Sequence, residues 1–309
     1  MPADSRLNEL WKPLYPFKSH KLQLDGVGYH YVDEGQGEPL LLSHGNPTWS
    51  FYWRNIISAF RDRYRVIAVD HIGCGISDKP QRYPYCLNQH IENLHRLVET
   101  LDLREITLMA HDWGGAIGLG AALKSPQRFA RFVMSNTAAF RSPHLPWQIR
   151  LARMPLLGTI ANRGLNAFVR GTTRMALAKH EQMTPAVRAG YLAPYNSWAN
   201  RVAVDRFVQD IPRHAGHPSY TRLVEIENGL PTLADRPWLL VWGMLDWCFH
   251  PWYLERFLEF IPQAQVERLF DAGHLVNEDA PQQVIDVVNQ FLTTNSHGML
   301  NRGDALNGK

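Results

Sequence analysis

Along most of the chain, short uninterrupted apolar runs alternate with stretches of helical periodicity. The runs are Leu40–Ser43, Tyr64–Asp70, Ile106–Ala110, Phe132–Ser135, Trp238–Trp242 and Val266–Phe270. Each has the length of a strand, and none alternates apolar with polar, which implies burial on both faces. The helices between them supply that cover. The pattern therefore predicts an α/β fold: a mostly parallel central sheet with helices on both faces. Ahead of it, HKLQLDGVGYHYVD (residues 20–33) alternates on either side of Asp25-Gly26 and reads as a hairpin, since that dipeptide tolerates positive φ.

The alternation lapses between about Phe140 and Pro231. Segments such as RLARMPLLGTIANRGLNAFVRGTTRMALAK keep a helical period but contain no convincing strand. A helical insertion between two strands of such a sheet is most simply a cap over the strand C-termini, where open α/β sheets bind ligands. The expected organisation is a core of residues 1–139 and 232–294 and a cap of residues 140–231. The polar, Gly-rich stretch 295–309 reads as a disordered tail, and its Arg302-Gly303-Asp304 triplet as chance.

Composition narrows the function classes. A net charge of +3 without a run of five like charges offers no footprint for nucleic acid. The three cysteines, Cys74, Cys86 and Cys248, are odd in number and widely spaced. They point to a reduced, cytoplasmic setting rather than a disulfide framework or a zinc site. MPADSRLNELWKPLYP lacks the apolar run of a signal peptide, and no stretch reaches the roughly 18 apolar residues of a membrane span. Neither a metal nor an organic cofactor is expected, because HExxH, P-loop and dinucleotide fingerprints are missing.

The chemistry concentrates in ITLMAHDWGGAIGLG, residues 106–120. An apolar strand runs into Ala110-His111-Asp112-Trp113-Gly114-Gly115 and then into a Gly/Ala-rich helix. That is the strand–turn–helix of a nucleophile elbow, with Asp112 where G-x-S-x-G has serine. Small neighbours let the turn form, and the helix N-terminus favours a carboxylate there. A plain N-cap aspartate would give a similar local pattern, so the other pieces matter. LLLSHGNPTWSF (residues 40–51) ends a strand in His44-Gly45-Asn46-Pro47, where such folds keep an oxyanion loop. The backbone N–H of Trp113 and one from Asn46, whose side-chain amide is a further donor, would converge on developing negative charge. DAGHLVNED (residues 271–279) puts His274 after the last strand, in the chain position of the base. His111 is its rival, but successive residues at an elbow point apart, and His111 is expected to pack beneath the sheet end. Asp246, a few residues after the run ending at Trp242, is placed to orient His274. The competing acid position holds Asn136, which cannot carry the charge. Asp70 and Asp78 are expected to hold the loop that follows Asp70's strand through backbone bonds.

With these residues in view, the chain from about Trp11 to Phe291 resembles the haloalkane dehalogenase-like branch of α/β hydrolases: HGNPTWS, DHIGCGISDKP, HDWGG and the Asp246/His274 pair match its pattern. Within it, HGNPTWSFYWRN, the Cys74 loop and RAGYLAPYNSWANRVAVDRFVQDIP are most similar to the bacterial β-lactone decarboxylases of long-chain olefin biosynthesis. The resemblance implies Asp112 as nucleophile, His274 and Asp246 as its partners, and Trp113 and Asn46 as holders of the departing anion. It also implies a long-chain hydrophobic substrate, a cis-3,4-dialkyl β-lactone converted to a cis-olefin and carbon dioxide. Contacts with the β-lactone synthetase and reductase of that pathway follow from the same likeness. The alternatives are a dehalogenase that turns haloalkanes into alcohols and halide, an epoxide hydrolase, and a non-catalytic scaffold. No pair of cap tyrosines (from Tyr191, Tyr195 and Tyr220) can be assigned to the epoxide chemistry from the sequence.

Overall fold

The computed structural model describes residues 9–295. Eight strands form one sheet: β1 (Ser19–Leu24), β2 (Val27–Glu34), β3 (Pro39–Ser43), β4 (Arg65–Val69), β5 (Ile106–Asp112), β6 (Phe129–Thr137), β7 (Trp238–Gly243) and β8 (Gln265–Leu269), in the spatial order β1-β2-β4-β3-β5-β6-β7-β8. From β4 to β8 all pairings are parallel. The hairpin β1–β2 adds its edge antiparallel to β4, and both turn residues, Asp25 and Gly26, have positive φ. A one-residue-per-face alternation divides the sheet's apolar side chains between two cores. Leu41, Ile67, Leu108, Met134 and Leu240 pack on one side; Leu42, Ala68, Met109, Val133 and Val241 pack on the other. The fold class read from the sequence is thus the observed one.

Two details differ from the apolar runs. β6 extends beyond Phe132–Ser135 at both ends: Phe129 and Arg131 pair with Ile106 and Thr107 of β5, and Asn136 and Thr137 are pinned by side-chain bonds where the apolar run has already stopped. The last strand is Gln265–Leu269 and is buried only at Leu269, with Phe270 outside it and 72% exposed. It is the sheet's edge, and edge position overrides the inference of two-sided burial.

Between β6 and β7 the chain forms helices and turns only, including Trp147–Ala152, Ala167–Met175, Pro185–Leu192, Val202–Gln209 and Tyr220–Gly229. Several bonds dock this insertion on the C-terminal edge of the sheet. The Trp49 indole donates to Gly190 O (3.0 Å), Tyr195 Oη to Thr48 O (3.3 Å) and Leu275 N to Ala176 O (3.0 Å). Apart from Asn295, whose carbonyl accepts from Arg131 (2.8 Å), the expected disordered tail lies outside the described residues.

A buried clamp joins three parts of the chain. Arg54 makes a bidentate pair with Glu278 (2.5 and 2.6 Å), and Tyr191 Oη from the insertion donates to the same carboxylate (2.6 Å). Burial opposes the Arg54 charge, but the Glu278 carboxylate outweighs it and holds the guanidinium above its usual range. Removing one partner strands the other in the interior. Arg54→Met is therefore expected to cost about 3–5 kcal/mol in urea unfolding. An Arg54→Met/Glu278→Leu double variant should recover most of it. A loss below about 1 kcal/mol for the single variant would show that the clamp contributes little.

Candidate active site

β5 ends at Asp112, which has φ 52° and ψ −129°, and the next residue begins the helix Trp113–Lys124. The turn is sharp because its neighbours are small. A Cβ on Gly114 would lie 2.1 Å from Ser43 O, and one on Gly45 would lie 1.9 Å from Asp112 Oδ1. Thr137 Oγ1 donates to Asp112 O and ties the elbow to β6. The carboxylate thereby stands at a helix N-terminus, within the mouth of the sheet.

Asn46 N donates to Asp112 Oδ1 at 2.6 Å. Burial pushes the Asp112 carboxyl up from 3.8, and His274 and the backbone N–H groups of Trp113 and Asn46 work against that push. The Asn46 side-chain amide donates to Val204 O of the insertion (3.1 Å). Its Oδ1, though buried, has no partner. Trp113 lines the cavity beside Asp112, and its indole N–H meets no described acceptor.

His274 lies behind the carboxylate, with Nε2 3.7 Å from Asp112 Oδ2, and Nδ1 is 2.8 Å from Asp246 Oδ2. Burial lowers the imidazole, but the charge and hydrogen bond of Asp246, then the charge of Asp112, more than compensate and raise it above 6.5. The Phe249 ring lies nearly parallel to the imidazole at 5.7 Å between centroids. Of the five residues singled out in the sequence, Asn46, Asp112 and Trp113 line the cavity, while His274 and Asp246 stand in line beside Asp112.

Asp246 is itself held from two sides. Cys248 N donates to Oδ1 (2.6 Å) and Asn136 Nδ2 to Oδ2 (2.9 Å). Asn136 also bonds Gly243 through both its amide groups (2.8 and 3.1 Å). The sequence reading dismissed Asn136 for its lack of charge. Its position at the end of β6, next in space to the strand before Asp246, was the signal that could have found it. His111 is neutralised by burial, and by the nearby His274 charge, which push it well below 6.5; its Nε2 donates to His274 O (2.9 Å). Its placement beneath the sheet end agrees with the expectation. Asp70 bonds Ile76 N and Ser50 N (2.8 and 2.7 Å), and Asp78 bonds Gly28 N (2.7 Å). Asp70 therefore holds its loop, whereas Asp78 ties that loop back to the hairpin.

The cavity over Asp112 measures about 140 Å³, and its walls are largely apolar, with Phe140, Ile149, Phe168, Leu223 and Phe249 among them. Of the tyrosines in the insertion, Tyr191 and Tyr195 spend their hydroxyls on Glu278 and Thr48 O, and Tyr220 lies by Arg141. None of the three lines this cavity. The tyrosine that does is Tyr253, whose hydroxyl pairs with Ser142 (2.8 Å).

A doubly wound sheet with a carboxylate at the elbow, an acid–histidine pair after the last strands and two converging N–H groups defines an enzyme of the α/β-hydrolase class. The chain belongs to the α/β hydrolase family: the family model for the alpha/beta hydrolase fold matches residues 38–281. It is 44% identical to a cis-3-alkyl-4-alkyloxetan-2-one decarboxylase of Shewanella oneidensis, over 91% of this chain and 90% of that one. A protein of the same name from Xanthomonas campestris pv. campestris is 40% identical, over 92% and 98%. Haloalkane dehalogenase 2 of Mycobacterium bovis is 34% identical, over 88% and 93%. Among solved structures, a haloalkane dehalogenase from Agrobacterium tumefaciens C58 superposes with a TM-score of 0.81 at 26% identity, covering 90% of this chain and 97% of that one.

The electrostatics of Asp112 lead to a test. A carboxyl whose folded pKa is raised binds its proton more tightly in the folded state. Its stabilising contribution is full below 3.8 and is lost as pH rises through the raised value. At pH 7 the buried charge is therefore a net cost. Asp112→Asn, which keeps an acceptor for Asn46 N–H, is expected to raise the thermal midpoint at pH 7, with the gain shrinking as pH falls toward 3.8. A lower midpoint at pH 7 would mean that His274 and the two N–H groups fully compensate the charge.

Proposed function

We propose that the protein decarboxylates cis-3,4-dialkyl β-lactones (oxetan-2-ones) to cis-olefins and carbon dioxide, with Asp112 as nucleophile. The carrying observation is a carboxylate, set between two backbone N–H donors and a histidine, opening on an apolar cavity in a chain whose 44%-identical relative is named an oxetanone decarboxylase. The helical segment 140–231 acts as the cap that supplies much of the apolar wall.

An ionised carboxylate attacks carbon without first losing a proton. Attack of Asp112 on C4 of the ring breaks the C4–O bond, forms an aspartyl ester and frees the lactone carboxylate. Trp113 and Asn46 face that anion. The C3–carboxylate bond then breaks, its electron pair forms the C3–C4 double bond, and the ester C–O bond cleaves to return Asp112 as carboxylate. Atoms balance with no water and no external proton. His274 in its imidazolium form keeps Asp112 ionised and receives it again on departure, while Asp246, set by Asn136, keeps the imidazolium in place. This cycle has no need of a general base.

The second reading, haloalkane dehalogenase, is favoured by the 34%-identical relative and by the same donor pair. It needs neutral His274 to activate water against the aspartyl ester. The placement of Tyr191, Tyr195 and Tyr220 away from the cavity weighs against epoxide opening. The expectation of a cytoplasmic enzyme is supported by three unpaired cysteines. No helix among the described residues is long and apolar enough to cross a membrane. The synthetase and reductase that would make the lactone are its natural partners.

Purified protein offered a cis-dialkyl β-lactone and a 1-bromoalkane is expected to give olefin and no bromide. Bromide without olefin would move the assignment to the dehalogenases. Asp112→Ala should lower olefin formation by roughly 10⁴-fold or more. In oxygen-18 water, repeated turnover should leave Asp112 unlabelled, and label in its peptide would rule out a purely eliminative cycle. The two readings also differ in sign with pH. Turnover by the eliminative route falls as pH rises through the raised His274 pKa, whereas a route needing neutral imidazole rises there.

A further inference from the structure

Segment 147–160, on the outside of the cap, presents large apolar side chains to solvent at a density the rest of the surface lacks. Trp147 and Leu151 share one face of the helix Trp147–Ala152, and Met154, Leu156, Leu157 and Ile160 follow in the next turns; all six are exposed, Leu156 to 80%. Of that helix only Ile149 is buried. Leu156 also stands at φ 60°. Among the described residues, more than half of all exposed large apolar side chains fall between Trp147 and Met175. A contiguous patch of this kind marks an interaction surface rather than chance exposure.

The charge around the patch has one sign. From Trp113 to His180 the chain contains no Asp or Glu, and Arg150, Arg153, Arg163, Arg170 and Arg174 lie within this stretch of the cap. None of the five is ion-paired among the described residues. Arg153 and Arg163 are used internally, on Ile211 O (2.8 Å) and Gln81 Oε1 (2.7 Å). Arg150, though exposed, donates Nε to Leu145 O (3.1 Å), and the exposed Arg170 and Arg174 make no such bond among the described residues. The acids near the segment are turned inward: Asp205 is buried and accepts from Asn162 (3.0 Å) and Thr159 (3.2 Å), and Asp210, which acts on Arg153, accepts from Ser219 and Leu87 N.

We propose that the outer face of the cap, centred on residues 147–160, docks on the surface of an anionic lipid bilayer. Apolar side chains reaching the acyl boundary, ringed by arginines that meet headgroup phosphates, are the physical requirements of an interfacial segment. A protein partner would need acidic groups to match the arginines; a bilayer supplies both the negative charge and the apolar layer. A second cavity, of about 190 Å³, lies just inside the patch and has Leu151 and Met175 in its wall. Phe168 is shared between that cavity and the one over Asp112. Resting on the lactone reading, the docked face sets a path for long alkyl chains between the bilayer and Asp112, with Phe168 as the partition.

Co-sedimentation with vesicles tests the docking without any substrate, so failure of the lactone assay and failure of this proposal are separate results. The wild-type chain is expected to sediment with an equimolar mixture of phosphatidylcholine and phosphatidylglycerol. It should bind phosphatidylcholine alone at least about tenfold more weakly, and the difference should shrink in high salt. Leu156→Ser/Leu157→Ser/Ile160→Ser and, separately, Arg170→Glu/Arg174→Glu should each lower binding about tenfold or more. Their thermal midpoints and turnover of a short-chain, water-soluble β-lactone should stay unchanged. Wild-type protein that stays in the supernatant with the mixed vesicles overturns the proposal, as does undiminished binding by both variants. A dimer in gel filtration that the serine substitutions dissolve, with no vesicle binding, would reassign the face to self-association.

Discussion

The structure is organised around keeping one carboxylate ionised where water cannot solvate it. Asp112 is only 6% exposed, and burial raises its pKa. An isolated charge there would simply take up a proton. Two backbone N–H groups, from Trp113 and Asn46, and an imidazole raised by Asp246 supply part of what bulk water would have supplied. Each of these depends on the sheet. The N–H of Trp113 exists as a free donor because a helix begins there, Asn46 is brought in by the end of β3, and His274 and Asp246 stand on the loops after β8 and β7. Parallel strands whose C-termini share one edge deliver all of these to one point.

That dependence explains why polar groups are spent in the interior. The Asn136 amide fixes Asp246 and the Gly243 peptide together, so the acid cannot turn away from the imidazole. Arg54, Glu278 and Tyr191 fasten the segment following the HGNP loop, the segment following His274 and the helical insertion to one another. A buried ion pair adds little net stability compared with an apolar replacement of the same volume. Its value here is positional: the three chain segments that must agree on where the cavity lies share a single carboxylate.

Much of this was legible in the sequence because its signals are local. Continuous apolar strands gave the parallel sheet, and the Asp-Trp-Gly-Gly turn, the HGNP loop and the Asp246 and His274 positions follow chain-order rules of the fold. Features set by distant contacts were not legible. Phe270 looks like strand core by composition, yet it sits past the end of an edge strand, which no local pattern reveals. Asn136 looked like a lost acid, and its meaning appears only when Gly243 and Asp246 are seen beside it. Asn46 was read as a backbone donor with its side-chain amide as a further one; its backbone N–H does face Asp112, but its amide reaches Val204 O of the helical insertion instead.

The same site can serve halide displacement and lactone cleavage because both begin with carboxylate attack on carbon and release of an anion. What separates them is the fate of the ester. A haloalkane leaves an alkyl group with nothing to expel, so the ester waits for water. A lactone opened at C4 leaves a carboxylate on the adjacent carbon, so the ester can act as a leaving group. Geometry then favours elimination at once. Backside attack on C4 of a cis-substituted ring places the new C–O bond anti to the carboxylate while the two alkyl groups stay on one side. Loss of carbon dioxide from that arrangement gives the cis-olefin with no rotation about the C3–C4 bond. Opening at the carbonyl instead yields an anhydride and an alkoxide, and neither is a group that departs from C4. An apolar cavity holding both alkyl arms still would protect this alignment, and an imidazolium held by Asp246 would not generate the hydroxide that competes with it. On this reasoning the step from dehalogenase to decarboxylase requires no new catalytic group, only a substrate that carries its own electron source and a pocket that keeps its conformation.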